Sequence, residues 1–212
     1  MKILFEDKFL VVALKDAGIS SQPDPSGRED MISILKKECN SSIFCVHRLD
    51  TATSGVMVYA KDSKTAGRLT ASLADSRTKK QYVCVVRGES IGNGTMTDLL
   101  FHDKRKNKAY VVDRKRAGVK EAVLHYSSIS EKDGKSLVKV TLETGRTHQI
   151  RVQFASRKMP LLGDGKYGSK DNLPLALHCF SLTFPHPVTG KIITYDSVPD
   201  SPWYGFDTEL LK

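Results

Sequence analysis

Short runs rich in apolar and β-branched residues recur along the chain, and Gly, Pro and Asp residues separate them. This pattern is typical of β-strands joined by turns. The runs occupy residues 3–14, 55–60, 81–86, 137–142, 176–184 and 191–195. Polar residues 6–8 interrupt the first run, which therefore predicts two strands. Residues 137–142 and 176–184 alternate apolar and polar positions, which predicts half-buried strands.

Two other segments carry the spacing of a helix with one buried face. Ser26 and Glu29 form a capping-box pattern at the start of the first helix, and Asp62 is placed to cap the second. The positions predicted to face the core are Met31, Ile34 and Leu35 in the first helix and Ala66, Leu69 and Leu73 in the second. A strand-rich chain with few helices predicts an α+β fold with a mixed, largely antiparallel sheet and flanking helices, not a doubly wound parallel sheet.

Positive charge is concentrated in one segment. The 212 residues include 33 Lys and Arg against 24 Asp and Glu, a formal net charge of +9, and residues 101–120 contribute +6 of it. The apolar residues 109–112 divide this segment into two basic clusters, which predicts a hairpin or loop pair. Its cations either bind phosphates or form an ordinary solvated surface. The candidate contacts are Lys104, Arg105, Lys106, Arg114, Lys115 and Arg116.

The remaining composition narrows the class of protein. The length suits one domain, and residues 1–212 contain no repeat or long linker. No run approaches the ~20 apolar residues that a membrane span needs, and the N-terminus carries acidic residues unlike a secretory signal. The four cysteines form no Cys-x-x-Cys pair, which favours free thiols. We therefore expect a cytoplasmic protein, and a monomer because no extended apolar stripe is left over.

Two clusters of polar residues are candidates for chemistry. Residues 47–55 lie between apolar runs, where polar groups must be hydrogen-bonded or functional. Asp50 and Arg48 in this cluster form either a structural ion pair or part of a site. In residues 143–151, two arginines and a histidine are able to bind phosphate or hold a carboxylate. Thr147 is placed to cap a helix there, although the apolar alternation fits a strand equally well.

The sequence contains no pattern that requires a metal or a nucleotide cofactor. The six histidines lack the spacing of a metal-binding motif, and no phosphate-binding loop or dinucleotide fingerprint occurs. The glycine-rich residues 163–168 are read from their pattern alone as a tight turn. We therefore expect no metal and no cofactor.

Five motifs together resemble the RluA-type RNA pseudouridine synthase family. They occur in the family's order and span about Ile3 to Tyr195. The motifs are HRLDTATSG, KKQYVCVVRG, GRTHQIRVQFA, GDGKYG and LALHCFSLTFPHPVTGK. The resemblance implies a two-lobed catalytic domain with a central RNA cleft. It also implies isomerisation of uridines in ribosomal RNA or transfer RNA to pseudouridine, without a cofactor because substrate and product are isomers.

The resemblance also implies a role for individual residues. Asp50 takes the position of the catalytic aspartate, Tyr82 that of the tyrosine that packs on the target base, and Arg151 that of the basic partner of the aspartate. Arg48 takes the position of the arginine that fills the gap left by a flipped base, and Leu177 lies near the strand that closes the pocket. Which RNA and which uridine are modified does not follow from these motifs.

The chain departs from the family pattern near its start. Residues 14–18 lack the proline of the family's lysine-proline-x-glycine turn, and the sequence begins at the catalytic motifs. We therefore expect residues 1–212 to form a single catalytic domain without a separate N-terminal RNA-binding domain, and the basic segment to bind the RNA. The competing hypotheses are an RNA-binding protein without catalysis and a metal-dependent hydrolase.

Overall fold

The protein folds as two compact units in a computed structural model that describes residues 1–25 and 27–211. The first unit contains Met1–Lys80 and Cys179–Ser197, and the second contains Gln81–His178 and Val198–Lys212. The strands are β1 (Lys2–Glu6), β2 (Leu10–Lys15), β3 (Phe44–Cys45), β4 (Ser54–Ala60), β5 (Lys79–Arg87), β6 (Asn93–Asp103), β7 (Lys108–Val112), β8 (Val119–Lys132), β9 (Lys135–Leu142), β10 (Leu177–Pro185) and β11 (Ile192–Asp196).

Few helices accompany the strands. They are α1 (Met31–Cys39), α2 (Ser63–Ala74) and α3 (Gln149–Ser156), with 3₁₀ turns at Gly165–Tyr167 and Thr208–Leu211. Every strand pair whose register is described is antiparallel. The predicted α+β class with a largely antiparallel sheet is therefore confirmed. Across the described part of the chain, no helix is long and apolar enough to cross a membrane.

In the first unit the strands follow the order β1, β2, β4, β10 and β11, and the short β3 pairs with β4. Their apolar side chains form a core with α2, in which Leu10, Val58, Leu69 and Phe184 are fully buried. Burying one such side chain stabilises the fold by roughly 1.5–3 kcal/mol. This core holds the two chain segments that flank the polar cluster 47–55.

The two helices of the first unit begin at aspartates. The Asp62 side chain accepts a hydrogen bond from the Thr65 N–H, so the predicted cap of α2 is confirmed. The cap of α1 is Asp30, whose carboxylate accepts hydrogen bonds from two backbone N–H groups of the first turn. Ser26, which we expected to cap this helix, lies outside the described residues. An aspartate directly before the first turn satisfies the N–H groups there, which makes Asp30 the effective cap.

In the second unit the strands follow the order β5, β9, β8, β6 and β7. The long strands β6 and β8 were not anticipated, because their apolar positions are interrupted by Ser, Lys and Glu residues. The β6–β7 hairpin turns at Lys104–Asn107, and residues 113–118 connect β7 to β8. The predicted hairpin in the basic segment is therefore confirmed.

Two local expectations are decided by the structure. Residues 149–156 form α3 rather than a strand, and the capping position is His148, in the left-handed conformation at φ 55°, rather than Thr147. Strand β10 is buried on both faces, and not half-buried, since eight of its nine residues are buried. The alternation of apolar and polar residues in 176–184 suggested one exposed face, but polar residues of this strand such as His178 and Ser181 are themselves buried.

Candidate active site

Asp50 lies in the loop between β3 and β4 of the first unit, and hydrogen bonds hold the backbone on both sides of it. The Ser21 hydroxyl donates to the Leu49 carbonyl oxygen (2.8 Å) and accepts from the Leu49 N–H (3.1 Å). The Thr53 N–H donates to the carbonyl oxygen of Asp50 at 2.9 Å, which closes a turn. The partly buried Asp50 side chain therefore projects from a backbone that is fixed before and after it.

The residue after Asp50 is held by a buried lysine. The carbonyl oxygen of Thr51 accepts hydrogen bonds from the Gly18 N–H (2.8 Å) and from Lys15 Nζ (3.1 Å). Lys15 is completely buried, and its ammonium also donates to the carbonyl oxygens of Asp16 and Ile19. Three carbonyl acceptors satisfy the three donors of the ammonium, as a buried charge requires.

The same lysine places a positive charge close to Asp50. Burial lowers the pKa of Lys15 to about 8, against the opposing electrostatic effect of the Asp50 and Asp16 carboxylates. With this pKa, Lys15 is still mostly protonated at pH 7. Residues 14–18 lack the proline of the family's turn. The hydrogen bonds of the Lys15 side chain and of the Gly18 N–H are nevertheless present, because neither of them requires a proline ring.

His47 orients the start of the same loop. Its Nε2 accepts a hydrogen bond from the Val58 N–H at 3.1 Å, so the ring is held in its neutral form with the proton on Nδ1. Burial of the ring and the nearby Lys80 ammonium lower the pKa of His47 to about 3. Protonation of His47 would therefore break the contact that ties the loop to β4.

We expect the protein to lose stability as the pH falls below 6.5, partly through His47. Between pH 6.5 and about 3 the unfolded chain binds a proton at His47 that the folded chain does not. This lowers the free energy of unfolding by no more than about 1.4 kcal/mol per pH unit. His47→Gln keeps an acceptor for Val58 and removes the titration. Urea unfolding at pH 7.5 and pH 4.5 should show a smaller acid loss in the variant, and an equal loss would contradict this assignment.

The last residue of the 47–55 cluster, Gly55, is required by close packing within the first unit. It has φ 130°, and a Cβ atom there would lie 2.3 Å from the carbonyl oxygen of Cys179. Only glycine tolerates both conditions. Arg48, which precedes Asp50 by two residues, is exposed.

In the second unit, Arg151 forms a buried ion pair with Asp164. Arg151 Nε and Nη2 donate to the two carboxylate oxygens of Asp164 at 2.7 and 2.8 Å, and the two side chains are only 8% and 1% exposed. This bidentate geometry fixes the plane and direction of the guanidinium. The pattern of residues 163–168 indicated only a tight turn, and the pairing of Asp164 with Arg151 was not predicted.

The loop that presents Asp164 is held tightly. Gly163 has φ 72°, and a Cβ atom there would lie 1.9 Å from the carbonyl oxygen of Pro174, so no other residue fits. Tyr167, two residues beyond Gly165, stacks its ring against the Arg151 guanidinium, with Cζ 5.2 Å from the ring centroid. Residues 163–168 therefore position Arg151 rather than serving only as a turn.

Tyr82 and Leu177 are both buried in strands of the second unit. Tyr82 lies in β5 and is 8% exposed, and Leu177 begins β10 and is 4% exposed. The segment before Leu177 lies beside β5, because the Val85 N–H donates to the Ala176 carbonyl oxygen at 3.2 Å. Tyr82 is thus a large aromatic side chain held at a buried position of β5.

The cations of the basic segment are exposed at the end of the β6–β7 hairpin and in the 113–118 loop. The Asp103 carboxylate shapes the hairpin turn by accepting from the backbone N–H groups of Arg105 and Lys106. Arg116 lies over the ring of Phe101, with Cζ 5.1 Å from the centroid. These contacts order the backbone while the charged side chains face solvent. The six candidate cations therefore form an exposed basic surface. They are Lys104, Arg105, Lys106, Arg114, Lys115 and Arg116.

Comparison with known proteins gives a consistent result. The sequence profile described as RNA pseudouridylate synthase matches residues 9–156. The ribosomal large subunit pseudouridine synthase D of Zymomonas mobilis is 32% identical, over 93% of this chain and 68% of that protein. The synthase C of Buchnera aphidicola is 34% identical over 98% and 69%. The tRNA pseudouridine synthase C of Yersinia pestis is 28% identical over 99% and 91%.

Solved structures show the same fold. Human RNA Pseudouridylate Synthase Domain Containing 1 superposes with a TM-score of 0.80 at 21% identity, covering 97% of this chain and 86% of that one. Human RNA Pseudouridylate Synthase Domain Containing 4 gives a TM-score of 0.77 at 24% identity, covering 94% and 89%. The chain belongs to the RNA pseudouridylate synthase family. It is an RNA pseudouridine synthase, an enzyme of the isomerase class.

Proposed function

We propose that this enzyme converts uridines of ribosomal RNA or transfer RNA into pseudouridine, with Asp50 as the catalytic group. The observation that carries the proposal is the loop 47–53, in which a carboxylate is held between anchored residues and next to the buried charge of Lys15. The RNA classes are those named for the relatives from Zymomonas mobilis and Yersinia pestis.

The reaction breaks the bond between ribose and a ring nitrogen of uracil and rejoins ribose to a ring carbon. The base must first leave its stack, which costs a few kcal/mol. Arg48 is exposed on the same loop as Asp50, and its planar cationic side chain is suited to stack in the gap. Phosphate contacts elsewhere offset the remaining cost of flipping.

The proposed reaction uses the Asp50 carboxylate as its anionic group. From the family resemblance we assign to Arg151 the role of basic partner of Asp50, while its pairing with Asp164 fixes the direction of the guanidinium. The family resemblance assigns Tyr82 to packing on the target base, with a hydroxyl for proton transfer, and places Leu177 near the strand that closes the pocket. We propose, from the family resemblance, that residues 1–212 act as one catalytic domain.

We propose that the exposed basic surface binds the phosphates of the RNA. Replacing Lys104, Arg105 and Lys106 by glutamine should weaken RNA binding about tenfold or more at low salt and flatten the salt dependence, since each lost phosphate contact removes ~0.7–0.9 from the slope. The same result is expected for the triple replacement of Arg114, Lys115 and Arg116. The measurement is fluorescence anisotropy with labelled RNA from 50 to 300 mM salt.

A matched control removes three exposed lysines of the first-unit helices: Lys36, Lys37 and Lys64. The control changes the net charge equally, so it separates local phosphate contacts from the overall field of the protein. If all the triple variants weaken binding to the same extent, the basic surface is not the RNA contact.

The function itself is tested by an isomerisation assay. Purified protein is incubated with total RNA from cells that lack it, and release of tritium from 5-³H-uridine is measured with and without EDTA. We expect release in both conditions. RNA binding without any release would favour a binding protein without catalysis, whereas activity abolished by EDTA would favour metal-dependent chemistry. Mapping pseudouridines in RNA from cells with and without the protein then identifies the target.

The remaining expectations concern the state of the protein in the cell. We propose that it acts as a monomer in the cytoplasm. The large apolar side chains that are exposed lie singly in different elements, as Val111, Leu173 and Leu210 do, and such scattered residues are normal on monomers. Size-exclusion chromatography coupled to light scattering tests the monomer.

A further inference from the structure

Tyr167 contacts both the basic hairpin, which we define as β6 and β7 with their turn (residues 93–112), and the active-site arginine. Its hydroxyl oxygen accepts a hydrogen bond from the backbone N–H of Ala109 in β7 at 2.8 Å. The face of its ring lies against the guanidinium of Arg151, 5.2 Å from centroid to Cζ. The Tyr167 side chain therefore connects β7, which follows the turn proposed to bind RNA, with Arg151, which is assigned a role in the reaction.

Neighbouring contacts reinforce both ends of this connection. Lys166 Nζ donates to the carbonyl oxygen of Asn107, the last residue of the hairpin turn, at 3.0 Å. Asp164 holds Arg151 by two hydrogen bonds. Residues 163–168 are thus bonded on one side to the hairpin turn and on the other side to the Arg151 guanidinium.

The Tyr167 ring also lies between charged groups. Lys108 Nζ is 5.2 Å from the same ring centroid, and Lys108 follows the turn that carries Lys104, Arg105 and Lys106. His148 Nδ1 lies 2.9 Å from the Tyr167 hydroxyl, and His148 is the cap of α3, the helix that carries Arg151. A shift of the hairpin changes the position of Ala109 and Lys108, and through them the tilt of the Tyr167 ring.

We propose that Tyr167 is a positioning residue that couples RNA binding at the basic hairpin to the orientation of Arg151. This inference rests on the proposed function, because it assumes that the hairpin binds RNA and that Arg151 serves the reaction. It predicts that turnover depends on contacts made at the hairpin and not only on the uridine itself. A misplacement of about 1 Å at a reacting group is sufficient to slow a reaction about a hundredfold.

The hydroxyl and the ring have separable parts in this arrangement. The hydroxyl contacts Ala109 and His148, whereas the ring contacts Arg151 and packs on the core of Leu100, Ala122 and Val152. Tyr167→Phe therefore removes the hydrogen bond to the Ala109 N–H and the hydroxyl contact with His148, and keeps the ring with its contacts to Arg151 and Lys108. Tyr110→Phe is the matched control, since Tyr110 is a tyrosine of the same hairpin whose ring contacts Lys108 and whose hydroxyl forms no hydrogen bond with residues 163–168 among the described residues.

The kinetic test measures single-turnover rates at saturating RNA together with Kd. For Tyr167→Phe we expect a rate about tenfold lower with Kd unchanged within about twofold, while Tyr110→Phe matches the wild type. Replacing Lys104, Arg105 and Lys106 should slow the saturated rate in the wild type but should have no further effect on it in Tyr167→Phe. If Tyr167 had only a structural role, Tyr167→Phe would lower the melting temperature, and the cation replacements would slow the rate equally in both backgrounds. Such additive effects on the rate would overturn the proposal.

A second measurement does not depend on turnover. The Arg151 Nε–H resonance, assigned with Arg151→Lys, is followed by NMR as a 20-nucleotide poly(U) RNA is added. We expect the resonance to shift in the wild type and in Tyr110→Phe, and to stay in place in Tyr167→Phe although the RNA still binds. An equal shift in Tyr167→Phe overturns the coupling. If the wild-type protein isomerises no RNA, the proposed function fails, and the resonance still decides whether the hairpin and Arg151 are coupled.

Discussion

Replacing Asp50 by asparagine is expected to abolish pseudouridine formation while RNA binding stays within a few-fold of the wild type. Asparagine has nearly the same shape, so it keeps the loop 47–53 and its contacts through Leu49 and Thr51. It cannot supply an anion, and loss of a group that acts directly in a reaction costs about a thousandfold or more. Single-turnover tritium release, with RNA binding measured in parallel by anisotropy, gives both quantities.

Asp16→Asn is the appropriate control for Asp50→Asn. Asp16 is the other carboxylate whose charge acts on Lys15, but its side chain is half exposed and pairs with the N-terminal ammonium. The control therefore removes a similar electrostatic effect on Lys15 without touching the loop. Activity of Asp50→Asn within about tenfold of the wild type would remove Asp50 from the mechanism.

Replacing either member of the Arg151–Asp164 pair is expected to destabilise the protein strongly. Each single replacement leaves the other charge in a buried position without the group that compensates it, which costs about 3–5 kcal/mol. For a chain of this length that corresponds to a melting temperature lower by about 10 °C. Arg151→Met, Asp164→Asn and the double variant, measured by calorimetry and urea unfolding, form the appropriate cycle.

The double variant separates stability from catalysis at Arg151. It should be less destabilised than the sum of the two single variants, because no isolated charge is left buried. We expect it to remain almost inactive, since the guanidinium assigned to Asp50 is absent. If the loss of stability in the double variant equals the sum of the two single losses, the interaction between Arg151 and Asp164 contributes little to the stability of the protein. A double variant with wild-type activity would show that Arg151 does not serve the reaction.

The pairing of Arg151 with Asp50 stays a prediction from the family resemblance. A loss of stability in Arg151 variants cannot by itself test it, because the structure supplies Asp164 as a sufficient cause. Arg151→Lys is more informative, since it keeps the charge and loses the bidentate geometry. We expect Arg151→Lys to lose a larger fraction of its activity than of its free energy of unfolding.

Elements with a strong local signal could be predicted from the sequence. Asp62 ahead of an apolar face spaced for a helix predicted α2, and the run 137–142 predicted most of β9. The two basic clusters around residues 109–112 predicted the hairpin of β6 and β7. In each case the residues that determine the element lie within a few positions of one another, so a short window contains the necessary information.

Other features had no local signal. The apolar pattern of residues 147–154 fitted a helix and a strand equally well, and packing of Ile150, Val152 and Phe154 in the second unit decided for the helix. β8 carries many polar residues along its 14 positions and was missed, because its strand character comes from pairing with β6 and β9. Such tertiary pairing overrides weak local preference.

The sequence by itself determined where the excess positive charge lies, and its resemblance to the RluA-type family indicated the class of enzyme and the candidate catalytic residues. Only the tertiary structure decided how the candidate residues are held: Thr51 by Lys15, Arg151 by Asp164, and the basic hairpin by Tyr167. These contacts join residues 36, 13 and 58 positions apart. A bond between distant residues forms only when the sheets and loops bring them together, so no local pattern reveals it.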